Sequence, residues 1–313
     1  MENNSAINSP SIKRADGQKW LKFSEILTLT LGAGFLLSGI IFFFAFNWEN
    51  LHRFEKMGTV LVLLLATFGA LVKVPMREWV RNITIFALCV LVGAFLAVYG
   101  QVYQTGADSY LLFLAWSLCI VVWVFVADFY PLWLFFMGLV MLTYGLVPTI
   151  DQGVVDFIVI LSLFTAFFEY SPLLIPNIKS VAPKWFMTLL FSSLSVLAVI
   201  LISIFIFDKY DRFVGGFEFL IGIAVSSWVC IYAIKKKNLL IYSIFCTGIL
   251  VLVYELLIRL INNFEAMFLI TFPFMAAVYF LGKHIIDKKK EWEAASSAET
   301  MPTENHNNNQ ESA

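Results

Sequence analysis

Residues 185–207 read Trp-Phe-Met-Thr-Leu-Leu-Phe-Ser-Ser-Leu-Ser-Val-Leu-Ala-Val-Ile-Leu-Ile-Ser-Ile-Phe-Ile-Phe, without one Asp, Glu, Lys, Arg or His. About 20 apolar residues in helical form cross a bilayer core of about 30 Å. The run meets that length and ends at charges on both sides, Lys184 before it and Asp208-Lys209 after it. In hydrocarbon no water satisfies the backbone N–H and C=O groups, so a lone segment of this kind must hydrogen-bond to itself as a helix. The stretch predicts a transmembrane α-helix.

The same reading carries outward in both directions. Apolar runs broken by charge, Gly or Pro predict spans at 26–46, 57–74, 83–102, 110–127, 131–149 and 154–170 before it, and at 214–234, 239–261 and 264–282 after it. What remains is a tail at 1–25, a tail at 283–313 and nine short loops, the longest at 171–184. No loop can hold a soluble domain. The expected fold class is therefore all-α, a polytopic integral membrane helical bundle of about ten transmembrane helices. Spans 131–149 and 154–170 are separated only by residues 150–153, so they read either as two full spans or as a re-entrant pair.

Composition agrees. Hydrophobic residues make up 60% of the 313 positions and charged residues 14%, against about 45–50% and about 25% in soluble domains. Phe alone occurs 32 times, and the mean hydropathy is +0.83. A chain of this size has too few charges to cover itself in water. The net charge of −1 describes no basic surface for nucleic acid. Cys89, Cys119, Cys230 and Cys246 all sit inside apolar runs without the spacing of a zinc or redox motif. They read as small core or lipid-facing residues.

Lys and Arg in the loops set the direction of threading. One side collects sixteen of them, in the N-tail, around 73–82, in 171–184, at Lys235–Lys237 and in the C-tail. The other side holds five: Arg53, Lys56, Lys209, Arg212 and Arg259. The excess predicts that both termini are cytoplasmic and that the number of spans is even. The first apolar run is longer than a signal-peptide core and lacks an A-x-A-like site after Phe46, so it is expected to stay attached. Trp20, Lys22 and Phe23 read as interfacial anchors. The C-tail, polar from Trp292 onward, is expected to be disordered.

Charged groups at membrane depth need a reason. Glu255 and Arg259 lie four apart on one predicted helix, share a face and are placed to pair. Glu255 sits roughly 9 Å inside its span, and Glu218 roughly 6 Å inside the preceding one from the same side. An ionised group at a span centre costs about 2.5–3.5 kcal/mol on insertion scales, and less near the interface. Either these are structural groups, or they line a polar cavity open to the outside as cation or proton sites. A second cluster lies in two loops on that side, at Asn47 and Trp48 and at Gln101, Tyr103, Gln104 and Asp108. Gly100 and Gly106 suit a tight turn there, and Asp108 and Ser109 suit a cap for the helix starting near Tyr110. The functional alternative is that the two loops meet around a small site.

Small residues supply packing. Gly34 with Ser38, and Ala66 with Ala70, are spaced for close helix contact, and Pro273 is expected to kink the last span. Chemistry is thinner. His52, His284 and His306 are the only histidines, and no H-E-x-x-H, G-x-S-x-G or Walker sequence occurs. No catalytic residue, metal site or cofactor site is expected.

One pattern is recognisable. Leu31-Gly32-Ala33-Gly34, the aromatic run ending in Asn47-Trp48, Lys56, Gly100-Gln101-Val102-Tyr103, Gly106-Ala107-Asp108 and Leu114-Ala115-Trp116 follow in order. Over about residues 26–125 the chain resembles a family of bacterial predicted membrane proteins, domain of unknown function 2157. The resemblance implies a bacterial inner-membrane location and transfers no catalytic role. The N-tail lacks the longer cytoplasmic helical segment often seen in that family. The expected function is a non-enzymatic component of an envelope process or assembly. Its partners would be the lipid bilayer and either other membrane proteins or further copies of itself. The rival is a secondary transporter or channel with an outward-facing polar vestibule.

Overall fold

The computed structural model describes residues 17–47, 52–103, 106, 108–127, 129–148, 153–174, 182–207, 212–260 and 264–299. Among the described residues there are ten α-helices and no strand. They are α1 (Gly17–Asn47), α2 (Arg53–Lys73), α3 (Glu78–Tyr103), α4 (Ser109–Val126) and α5 (Tyr130–Gly145), then α6 (Val154–Leu174), α7 (Lys184–Phe207), α8 (Arg212–Lys235), α9 (Leu239–Leu260) and α10 (Phe264–Glu299). Eight of them, all but α5 and α10, are long and apolar enough to cross a membrane. The chain is an all-α polytopic bundle whose natural surroundings are a lipid bilayer. Large apolar side chains point away from the protein throughout: Phe35 is 74% exposed, Leu163 66% and Leu220 63%. In water such faces would drive association, whereas against lipid tails they cost nothing.

The chain divides into two compact units, Met1–Thr143 and Tyr144–Ala313. In the first, α2 packs on α3 and α3 on α4. The α3–α4 seam is built around Gly93, which is buried. A side chain there would overlap the Trp116 indole. The indole N–H in turn donates to the Cys89 carbonyl at 2.8 Å. Trp116 continues edge-on to Phe135 at 5.4 Å, and Phe86 meets Phe135 at 5.3 Å, so rings from α3, α4 and α5 interlock. The Trp116 that marks the resemblance thus locks three helices together.

In the second unit α7 is the hub, packing against α6, α8 and α9. Its buried positions Met187, Leu190, Phe191, Leu194, Ala198, Leu201 and Ile202 recur every three or four residues, one helical stripe covered by neighbours. Two glycines let those neighbours close in. A Cβ on Gly222 of α8 would stand 2.8 Å from Ile202, and one on Gly248 of α9 would press into Val199. The turn between α8 and α9 is fixed by Lys237, at φ 50, and by Asn238. The Asn238 amide donates to Thr188 Oγ1 at 2.7 Å, and its carbonyl oxygen accepts from the Ile241 N–H at 3.3 Å.

Several boundaries differ from the sequence reading, three of them for identifiable reasons. Helix α1 begins at Gly17 rather than at 26, because the Lys/Trp/Leu/Glu composition of 17–25 is as compatible with helix as with a tail. Helix α5 ends at Gly145, where the sequence predicts a span to 149. At 1.5 Å per residue its 16 residues reach roughly 24 Å, and Pro148 disfavours further helix just before it. Helix α10 continues to Glu299, with Pro273 inside it, where the sequence predicts disorder from 283. Lys288–Glu291 and Lys289–Glu293 pairs line this extension, and its Ala, Glu and Lys favour helix. It is tied to α9: Tyr242 Oη lies 3.0 Å from His284 Nε2, and the Tyr242 and Trp292 rings stand 5.5 Å apart. Residues 300–313 lie outside the described residues.

Candidate functional site

The predicted polar residues fall into both units. In the first, α1 ends at Asn47, while Trp48 and Gln104 lie outside the described residues. Gln101 and Tyr103 are exposed in the last turn of α3, with the Tyr99 and Tyr103 rings 4.8 Å apart. The start of α2 is held by a reciprocal pair of bonds. The His52 N–H donates to Glu55 Oε2 at 2.8 Å and the Glu55 N–H to the His52 carbonyl at 3.0 Å. His52, Arg53, Phe54 and Met57 face Val102 and Tyr103 across a cleft of about 510 Å³. Of the candidate residues of the two loops, Tyr103 is among those that line this cleft, and Asn47, Gln101 and Asp108 are not.

Gly106 has φ +62, the left-handed turn its position in the sequence suggests. Asp108 is the residue before α4, and its carbonyl accepts from the Leu111 N–H at 3.0 Å. It caps by position alone, since its side chain makes no capping bond. Asp108 is exposed.

In the second unit α7 ends, α8 begins and α9 ends at the same pole, which brings Glu218, Glu255 and Arg259 to one end of the bundle. The expected Glu255–Arg259 pair does not form among the described residues. The Arg259 guanidinium instead donates to the Ile206 carbonyl near the end of α7. That carbonyl is one of the last four of its helix and has no partner within it, so a cation there is doubly favoured. Glu255 is left with a buried Oε2 that has no hydrogen-bond partner. Glu218 is half-buried in the second turn of α8.

A further membrane-depth carboxylate, beyond Glu218 and Glu255, escapes the sequence reading. Glu169 lies one residue from the predicted end of span 154–170, inside Phe167-Phe168-Glu169-Tyr170, and so reads as an interfacial residue. In the structure it is half-buried on α6, with Oε2 buried and unpartnered. The Trp228 side chain of α8 lies beside it, with Lys235 and Lys236 the nearby cations. Its surroundings are aromatic, with Phe168 against Phe186 at 4.8 Å. The available signal was a carboxylate flanked by aromatics on both sides in a helix needing every residue of its length. Glu169 and Glu255 thus stand toward opposite ends of the second unit, each with a buried oxygen that has no hydrogen-bond partner among the described residues. Among the described residues, no group of three His, Cys, Asp or Glu is placed to hold a metal ion.

No curated protein and no solved structure matches the chain. Residues 9–133 match the family described as "Predicted membrane protein (DUF2157)", extending on both sides the resemblance read from 26–125, and over this stretch the chain is similar to that family of predicted membrane proteins.

Proposed function

We propose that this protein is a non-enzymatic component of an envelope process or assembly in the bacterial inner membrane, with both termini cytoplasmic. The observation that carries this reading is α1. It is 31 residues long, and its membrane-length apolar stretch has no buried residue. Gly34 and Ser38 are both exposed on it, and a Cβ on Gly34 would meet nothing within 4 Å. Small residues four apart let a second helix approach closely, and packing of this kind is what drives association in lipid. The charge asymmetry of the loops supports the orientation, and the similarity over 9–133 supports membrane residence. Photo-crosslinking from positions 34 and 38 in intact membranes tests the reading. Discrete products with defined membrane proteins or with a second copy are expected, and purified protein that alone moves a solute into liposomes would count against it.

A second reading is a transporter or channel with a polar vestibule, favoured by one observation, the unpartnered Oε2 of Glu255. A buried carboxylate without a partner is expensive at membrane depth and is a functional-site hypothesis by default. Under this reading Glu255→Gln, expressed at normal level, abolishes proton- or cation-coupled flux in vesicles. Unaltered flux removes it.

A further inference from the structure

The first unit contains a second, larger cleft of about 940 Å³, between α1 and the α2–α3 hairpin. On α1 it is lined by Leu29, Gly32 and Leu36, and on α3 by Ile83 and Ala87. From Leu21 to Leu36 the lining runs roughly 22 Å along α1, more than the roughly 15 Å of hydrocarbon in one leaflet. Of the four hydroxyl side chains in the wall, Ser24, Thr28, Thr67 and Thr84, three are turned onto their own helices. Ser24 donates to the Leu21 carbonyl at 2.9 Å, Thr67 to Leu63 at 2.8 Å and Thr84 to Val80 at 2.9 Å, all within their own helices. The wall is therefore a hydrocarbon surface with few free donors.

One end of the cleft is different. Glu25 Oε1 and Arg77 Nη1 stand 3.3 Å apart across its mouth, with the Arg77 side chain 76% exposed. This pair places the start of α1 beside the turn joining α2 to α3. Lys22, Lys73 and Arg81 are exposed at the same end, against the acids Glu25 and Glu78. Apolar depth below a cationic rim matches one class of molecule, an acyl chain under a phosphodiester. Guanidinium is suited to such an oxyanion because it offers paired donors in a plane.

The geometry points to a bound anionic glycerophospholipid, its acyl chain between α1 and α2–α3 and its phosphate at Arg77. The lipid completes the packing of α1, a helix that the protein's own side chains leave uncovered. A Cβ on Gly32 would meet nothing within 4 Å, so a larger side chain there enters the cleft and not the neighbouring helices.

The test uses the full-length protein in nanodiscs with phosphatidylglycerol or phosphatidylcholine carrying a diazirine midway along one acyl chain. Phosphatidylglycerol should label Thr28–Leu36 and Ile83–Ala87 at least fivefold more than phosphatidylcholine does. Gly32→Leu and Gly32→Phe should lower that labelling in order of size, and Arg77→Gln should bring it to the phosphatidylcholine level with the helical circular dichroism unchanged. Arg77 is exposed, so this variant reads the headgroup even if the larger plugs fail to fold. Equal labelling by both lipids, or a preference untouched by Arg77→Gln, overturns the proposal. So does a Gly32→Cys variant that crosslinks to a second copy, which would make a helix the occupant.

Discussion

The seam at Gly93 allows the sharpest test of the packing. In Gly93→Ala the new methyl falls inside the volume of the Trp116 indole, and the atoms it meets belong to a rigid ring that cannot bend away. Trp116 must rotate or α4 must withdraw from α3. Overpacking of this kind costs about 1–3 kcal/mol. Displacing the ring also breaks the 2.8 Å bond from its N–H to the Cys89 carbonyl, and a buried donor left unpaired costs about 1–3 kcal/mol. The edge-on contact with Phe135 contributes about 0.5–1.5 kcal/mol more. The expected loss is about 2.5–7.5 kcal/mol, read as the shift in reversible unfolding when SDS is titrated into mixed micelles, with tryptophan fluorescence and far-UV circular dichroism as probes. Gly138→Ala in α5 is the control, because a Cβ there meets nothing within 4 Å and removing a helix-interior glycine stabilises by about 0.5–1 kcal/mol. In a Trp116→Leu background most of the cost of Gly93→Ala should vanish, since the two residues share one space. If Gly93→Ala and Gly138→Ala proved alike, or if the Trp116→Leu background left the cost unchanged, the described seam would be wrong.

Other expectations follow from single contacts. Asn238→Ala removes the bond to Thr188 and the cap on Ile241, a loss of about 1–2 kcal/mol in the same titration; Thr188→Val added to it should cost little more. Gly222→Leu or Gly248→Leu should loosen the second unit through Ile202 or Val199, seen as faster hydrogen exchange of α7 amides with those of α3 unchanged. Trp292→Ala together with His284→Ala frees the α10 extension from Tyr242. Trypsin should then cut after Lys288–Lys290 several-fold faster, while an unchanged rate would mean that these contacts do not hold it.

Which parts were legible from the residues depended on which physical signal each left. Spans are announced by length and apolarity, because lipid demands both, and 185–207 becomes α7 almost to the residue. What lipid conceals is the inside face. A helix that is apolar all round carries no stripe to say which side packs, so the hub role of α7 could not be read from its composition. The Gly93–Trp116 nesting depends on the relative height of α3 and α4, a tertiary quantity with no local signature. The polar extension of α10 was misjudged because its charges resemble those of a solvated tail; their spacing at three and four residues was the missed clue. Among the candidate site residues, Glu255 and Arg259 lie four apart on α9, yet Arg259 bonds elsewhere and Glu255 Oε2 has no hydrogen-bond partner. The Ile206 carbonyl that draws Arg259 away belongs to a helix more than 50 residues earlier. Glu169 was hidden by sitting at the edge of its own span.

The central claim is that the chain threads a bilayer as a helical bundle with both ends on the cytoplasmic side. It is tested most directly by paired fusions in living cells, with a green fluorescent protein and an alkaline phosphatase placed in turn after Lys22 and after Asp287. The account predicts fluorescence and no phosphatase activity at both positions, and phosphatase activity without fluorescence for a fusion placed after Gly106. Activity of the phosphatase at either terminal position would contradict it.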